Sequence, residues 1–213
     1  MTTNQLIDLL VADLKPVDER RTLHAVIVAL VIGLAAALGV MSLIFASPPE
    51  LLDGKNLVFL LVKLLFASAV VATTAVFLPQ LARPGIKMRR TPALILMPFA
   101  AFAAAAAVEL ASVHSSAWAA MIVEKDSLTC LPAVLLLAIL PFTALMWGLR
   151  AGAPTDRIMA GTIAGLAAGG LGAFACAFPC TEQSLPSIAL WYGFPVGVCA
   201  AVGAKLGPSL LRW

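Results

Sequence analysis

Apolar residues gather into six long runs, at 23–46, 56–78, 92–114, 128–148, 157–178 and 187–211. Polar or proline-bearing breaks separate them: Ser47-Pro48-Pro49-Glu50, Arg83-Pro84-Gly85, Glu124-Lys125-Asp126, Arg150 to Arg157, and Pro179 to Pro186. A helix crosses the hydrocarbon core with about 20 mostly apolar residues, and each run supplies that length. The pattern predicts an all-α bundle of six transmembrane helices over residues 23–213, behind a shorter segment at 1–22 where apolar and polar residues mix. The first run starts too late, behind Asp8, Asp13, Asp18 and Glu19, to read as a cleaved signal peptide.

Composition strengthens this reading. Of the 213 residues, 62% are apolar and 12% charged, against about 25% charged in an ordinary soluble domain. A chain this short lacks the interior to hide so much apolar surface. The formal net charge of +3 is too small to argue for a nucleic acid or another polyanion. The placement of the charge says more. If the N-terminus is cytoplasmic, eleven of the 14 Lys and Arg fall on that side, among them Lys15, Arg20, Arg21, Arg83, Lys87, Arg89, Arg90, Arg150, Arg157 and Arg212. Only Lys55 and Lys125 fall in outer loops, and Lys63 lies within a span. Cytoplasmic loops collect Lys and Arg, so both termini are expected inside.

The segment 1–22 is the natural docking element for a soluble partner. Within it, Leu6, Leu9, Leu10 and Leu14 recur at helical spacing with Asp8 and Asp13 opposite, and Thr3 is in place as an N-cap. Pro16 disfavours the helical conformation of the residue before it and ends the element. A cytoplasmic amphipathic helix is expected. Its acidic polar face suits a groove on a protein better than anionic lipid headgroups.

Cys130 opens the fourth run and Cys180 follows the fifth, so both are expected at the outer face. Outside the cytoplasm such thiols persist as disulfides, which makes them a structural bridge or a paired-thiol sensor. Cys176 shares a helix face with Cys180 and is an alternative partner on spacing alone, while Cys199 sits in apolar helix. A metal site built from Cys180, His114 and Glu182 has no diagnostic spacing and ranks below the disulfide. Lys63 and Glu109 are intramembrane charges, which default to a functional hypothesis. The expectation for them is a structural pair between neighbouring helices. Gly161, Gly165, Gly169 and Ala173, four apart, form a stripe of small residues suited to close packing within the bundle.

The run Leu6-Ile7-Asp8-Leu9-Leu10-Val11-Ala12-Asp13-Leu14-Lys15-Pro16-Val17, six spans, and cysteines at 130 and 180 together resemble the NrsF-like family of bacterial membrane anti-sigma factors. The resemblance covers the whole chain. It implies that Leu6, Leu9, Leu10, Asp13, Leu14, Pro16 and Val17 bind an extracytoplasmic-function sigma factor and hold it at the inner membrane. It also implies that a metal or oxidative signal is sensed near Cys130 and Cys180.

The residues themselves show no catalytic set and no cofactor motif. His24 and His114 belong to opposite membrane sides, and no Ser/His/Asp arrangement or HExxH occurs. No enzyme, cofactor or direct nucleic-acid contact is expected, and the sequence leaves the oligomeric state open. The alternative is a small secondary transporter using Lys63, Glu109 and His114, although no internal repeat of the kind such proteins carry is evident.

Overall fold

The computed structural model describes residues 19–44, 54–81, 91–122, 127–150, 152, 154, 156–180 and 184–211. Among them every regular element is helical: α1 (Glu19–Ile44), α2 (Gly54–Leu81), α3 (Thr91–Ser112), the short α4 (Trp118–Ile122), α5 (Ser127–Arg150), α6 (Arg157–Cys176) and α7 (Leu185–Leu210). All but α4 are long and apolar enough to cross a membrane. The expected docking helix, with Leu6, Leu9, Leu10, Asp13, Leu14, Pro16 and Val17, lies outside the described residues, as does Glu182.

The helices depart from the apolar runs at their ends. α1 starts at Glu19 and α2 continues through Pro79 to Leu81, because a helix does not stop where hydropathy does. α7 begins at Leu185 and takes Pro186 into its first turn, where a missing N–H costs nothing. The expected third run ends early. After Ser112 the chain turns through a 3-10 segment, Ser115–Ala117, into α4, and Trp118 pins this corner by donating to the carbonyls of Leu110 and Val113.

α6 is the centre of the bundle. It packs on α7, α5, α2 and α1, and 78% of its apolar window is buried, against 11% for the peripheral α3. Its small residues allow this. A Cβ on Gly161 would strike the Gly203 carbonyl, and one on Gly165 would strike that of Cys199. A Cβ on Gly170 would meet Val71 of α2 at 2.9 Å, and one on Gly172 the Val134 carbonyl of α5 at 2.7 Å. Glycines facing three neighbours thus let three helices close on one. The stripe at 161, 165 and 169 is spent inside the molecule, against α7, as close packing between membrane helices requires.

The outer surface is apolar on every side. Val31, Leu65, Met97, Val108, Leu136, Trp147 and Ile158 are all exposed, which only a lipid solvent accommodates at this scale. Two ends remain. The proximal end, where α1 begins, joins the finish of α5 to α7 through Arg150 Nε donating to the Leu210 carbonyl at 2.9 Å. There Asp156 also caps α6, accepting from the Met159 N–H at 2.9 Å. The distal end gathers the start of α2, the finish of α3, α4, and the α5 and α7 starts around the finish of α6.

Candidate functional site

Three cysteines meet at the distal end. Cys130 sits in the first turn of α5, Cys176 is the last residue of α6, and Cys180 follows a turn over Ala177–Pro179. That turn is held by the Ala177 N–H, shared between the Ala173 and Phe174 carbonyls, and by an edge contact between Phe174 and Phe178. It folds Cys180 back beneath Cys176, with the two sulfurs 3.4 Å apart. Cys130 completes the group, and the three Sγ atoms lie within 4.8 Å of one another. Cys130 and Cys176 are buried and Cys180 is half-buried.

Two polar side chains close the floor of the cluster. Lys63, 1% exposed, donates from Nζ to the Cys180 carbonyl at 2.6 Å and stands 5.7 Å from the centroid of the Tyr192 ring, within cation–π range. The Tyr192 hydroxyl donates to the Cys176 carbonyl at 3.3 Å. The carbonyls that α6 and its terminal turn leave without helical partners are therefore met by a cation and a phenol, and a cation is the favourable charge at that end of a helix.

The Cys180 thiol is held far below its ordinary range, from 9.0 to about 3. The chief cause is the Cys130 thiol hydrogen-bonded to it, followed by that of Cys176. Burial opposes the shift, while the Tyr192 hydroxyl and the Lys63 charge add to it. A thiolate is the nucleophile in disulfide exchange and the form that binds metals. The chemistry available here is therefore thiol–disulfide exchange within the trio or capture of a thiophilic ion.

Glu109 serves a separate junction. Its Oε2 accepts from the Leu185 N–H at 2.9 Å, at the first residue of α7, whose N-cap Ser184 makes no side-chain cap. Ser184 instead donates to the Met121 carbonyl at 2.6 Å, and Trp191 Nε1 to that of Ile122 at 2.7 Å, fastening α4 to α7. A carboxylate borrowed from α3 thus caps α7 and complements its dipole.

These contacts revise the expected roles. Lys63 and Glu109 are each engaged by main chain at the α6–α7 junction, the cation at a C-terminal end and the anion at an N-terminal one. The geometry gives them structural employment and lends nothing to a transporter. His114 is exposed before the 3-10 turn and, among the described residues, the converging ligands are three sulfurs without it, while Glu182 of the expected set lies outside the described residues. The pairing of Cys130 and Cys180 widens to include Cys176, whose four-residue spacing from Cys180 was the sequence signal for it. Tyr192 carried no signal. Cys199 lies away from the cluster, against Gly165 and Gly169.

Comparison with known proteins places the whole chain. Residues 10–213 match the profile of a family described as negative regulator of sigma F, NrsF. Over the full length of both chains, the sequence is 29% identical to a probable anti-sigma-F factor NrsF of Azospira oryzae. It is 32% identical, again over the full length of both, to the anti-sigma-F factor NrsF of Caulobacter vibrioides. No solved structure matches it. With a family profile covering all but the first nine residues and two relatives aligned end to end, this six-span protein belongs to the NrsF family, a regulatory and non-enzymatic class.

Proposed function

We propose that this chain is a bacterial inner-membrane anti-sigma factor. It sequesters an extracytoplasmic-function sigma factor through residues 1–22, on the cytoplasmic side, and releases it when a periplasmic metal or redox signal reaches the thiols around Cys130 and Cys180. The observation that carries the proposal is the end-to-end similarity to two proteins named as anti-sigma-F factors. The charge distribution supports the orientation, since Lys and Arg cluster on the side where α1 begins.

The architecture suits such a relay. The thiols sit at the end of α6, and α6 runs down the centre of the bundle against α7, α5, α2 and α1. A change at the thiols is therefore felt by every helix that α6 touches, including α1, which follows the docking segment directly. The signal shifts the docking equilibrium only by its differential affinity for the holding and releasing states. Leu6, Leu9, Leu10 and Leu14 supply the apolar stripe for the partner's groove, and Asp13, Pro16 and Val17 frame it.

The test is co-purification from the native host, using the full chain solubilised in mild detergent. A sigma factor recovered with the wild-type chain, and lost when residues 1–18 are removed from an otherwise inserted protein, is the expected result. Recovery of the sigma factor with both forms would contradict the docking assignment.

A further inference from the structure

We propose that Cys130, Cys176 and Cys180 form a three-sulfur site for a soft divalent metal ion, with Lys63 as its built-in counter-charge. The assignment deepens the reading of these thiols as the signal input. Its test uses the purified chain without a sigma factor, so that either idea can fail while the other stands.

The geometry is the first argument. A metal–thiolate bond is about 2.3 Å for zinc and longer for heavier ions. Three sulfurs around one ion therefore lie about 4 Å or somewhat more from each other. The observed sulfurs lie within 4.8 Å, with one pair at 3.4 Å, so small side-chain rotations close the ring without moving a helix. A disulfide between Cys130 and Cys180 alone would give Cys176 no reason to place its sulfur in the same group.

The donor type is the second argument. Among the described residues, the converging His, Cys, Asp and Glu ligands are all sulfur, and the nearest span carboxylate, Glu109, is occupied at Leu185. Thiolates select soft ions, whereas magnesium and calcium want oxygen.

Charge is the third. Each sulfur binds as a thiolate, any proton it still carries passing to water, with no transfer of electrons. Three thiolates and a divalent ion leave one negative charge in apolar surroundings, which is costly unless it is paired. Lys63 is buried beside the cluster, on the Cys180 carbonyl, and brings the sum to neutral. A trivalent centre would be neutral with the thiolates alone and gain nothing from that cation.

The experiment is a titration of the reduced, full-length protein in nanodiscs with lead(II) alone. It is followed by thiolate-to-metal absorption and by mass-spectrometric mapping of which cysteines the ion protects from alkylation. One ion per chain, with Cys130, Cys176 and Cys180 protected and the labelling of Cys199 the same with and without the ion, is the expected result. Cys176→Ser should weaken binding by about 100-fold or more, since even outer-shell changes at metal sites cost about 10–100-fold. Lys63→Met should weaken lead(II) but spare arsenite, whose three hydroxyls leave as three waters, taking up the thiol protons or protons from solvent, as three As–S bonds form a neutral adduct. Protection of Cys130 and Cys180 alone in the unmutated chain would overturn the site. So would wild-type affinity in a folded Cys176→Ser protein, or no binding at all by the reduced chain. Equal weakening of lead(II) and arsenite by Lys63→Met would overturn the counter-charge.

Discussion

Lys63 reaches across 117 positions of sequence to donate a 2.6 Å hydrogen bond to the carbonyl of Cys180. The contact joins an intramembrane cation to the turn that ends the central helix, and it places a positive charge beside a thiol already bonded to two others. The reactivity of Cys180 follows from that arrangement. An ordinary thiol with a pKa near 9.0 loses thiolate tenfold per pH unit below it, whereas Cys180, at about 3, stays ionised through the neutral range. In the reduced protein, alkylation of Cys180 by iodoacetamide should be flat from pH 8 to pH 5, with the site read by mass spectrometry. A tenfold fall per unit over that range would show an unperturbed thiol.

Glu109 is the N-terminal cap of a helix to which it does not belong. Glu109→Ala should cost about 0.5–2 kcal/mol, the usual worth of a cap, and should speed hydrogen exchange at the Leu185 amide. Glu109→Gln keeps an acceptor and should lose less. Equal stability of wild type and Glu109→Ala would show that the cap contributes nothing.

The α6–α7 seam tolerates no side chain. Gly161→Ala drives a methyl into the Gly203 carbonyl, and overpacking of this kind costs about 1–3 kcal/mol. Gly39 has nothing within 4 Å of the same methyl position, so Gly39→Ala should change stability by no more than about 0.5 kcal/mol. Thermal unfolding of the two variants in one detergent compares them directly.

Six spans, their order and the position of Cys130 and Cys180 at the same end of the bundle were legible because crossing a bilayer imposes a length and a hydropathy on each helix. The Gly161, Gly165 and Gly169 stripe was legible for a related reason, since small residues four apart have one use in lipid. The partners of Lys63 and Glu109 were not. A charge within a span announces that it must be satisfied, but its partners here are main-chain groups at helix ends, which every residue carries and no residue type marks. Cys176 was half legible. Its spacing from Cys180 placed it on the right face, whereas the approach of Cys130 depends on how α5 packs against α6. Tyr192, two turns into an apolar helix, gave no sign of bonding to the end of α6.

Orientation has its own test. Alkaline phosphatase fused after Pro49, Asp126 or Glu182 should be active, and after Arg90, Arg150 or Trp213 inactive, because the enzyme matures only outside the cytoplasm. Activity after Arg90 would reverse the bundle and put the thiols in the cytoplasm.

The central claim is that residues 1–22 hold the sigma factor. Leu9→Ala or Leu10→Ala removes three carbons from the proposed interface, at about 0.8 kcal/mol per buried CH₂. Each should cost about 2–3 kcal/mol, or about 30- to 150-fold in affinity at about 1.4 kcal/mol per tenfold. Asp13→Asn should do less, since charges at an interface rim act mainly on encounter rate. The decisive measurement is the Kd of the co-purified sigma factor for the wild-type chain and the Leu9→Ala/Leu10→Ala double variant, both in nanodiscs and matched for insertion. The account predicts that the double variant inserts normally and loses essentially all affinity. An inserted double variant that binds the sigma factor as tightly as wild type would contradict it.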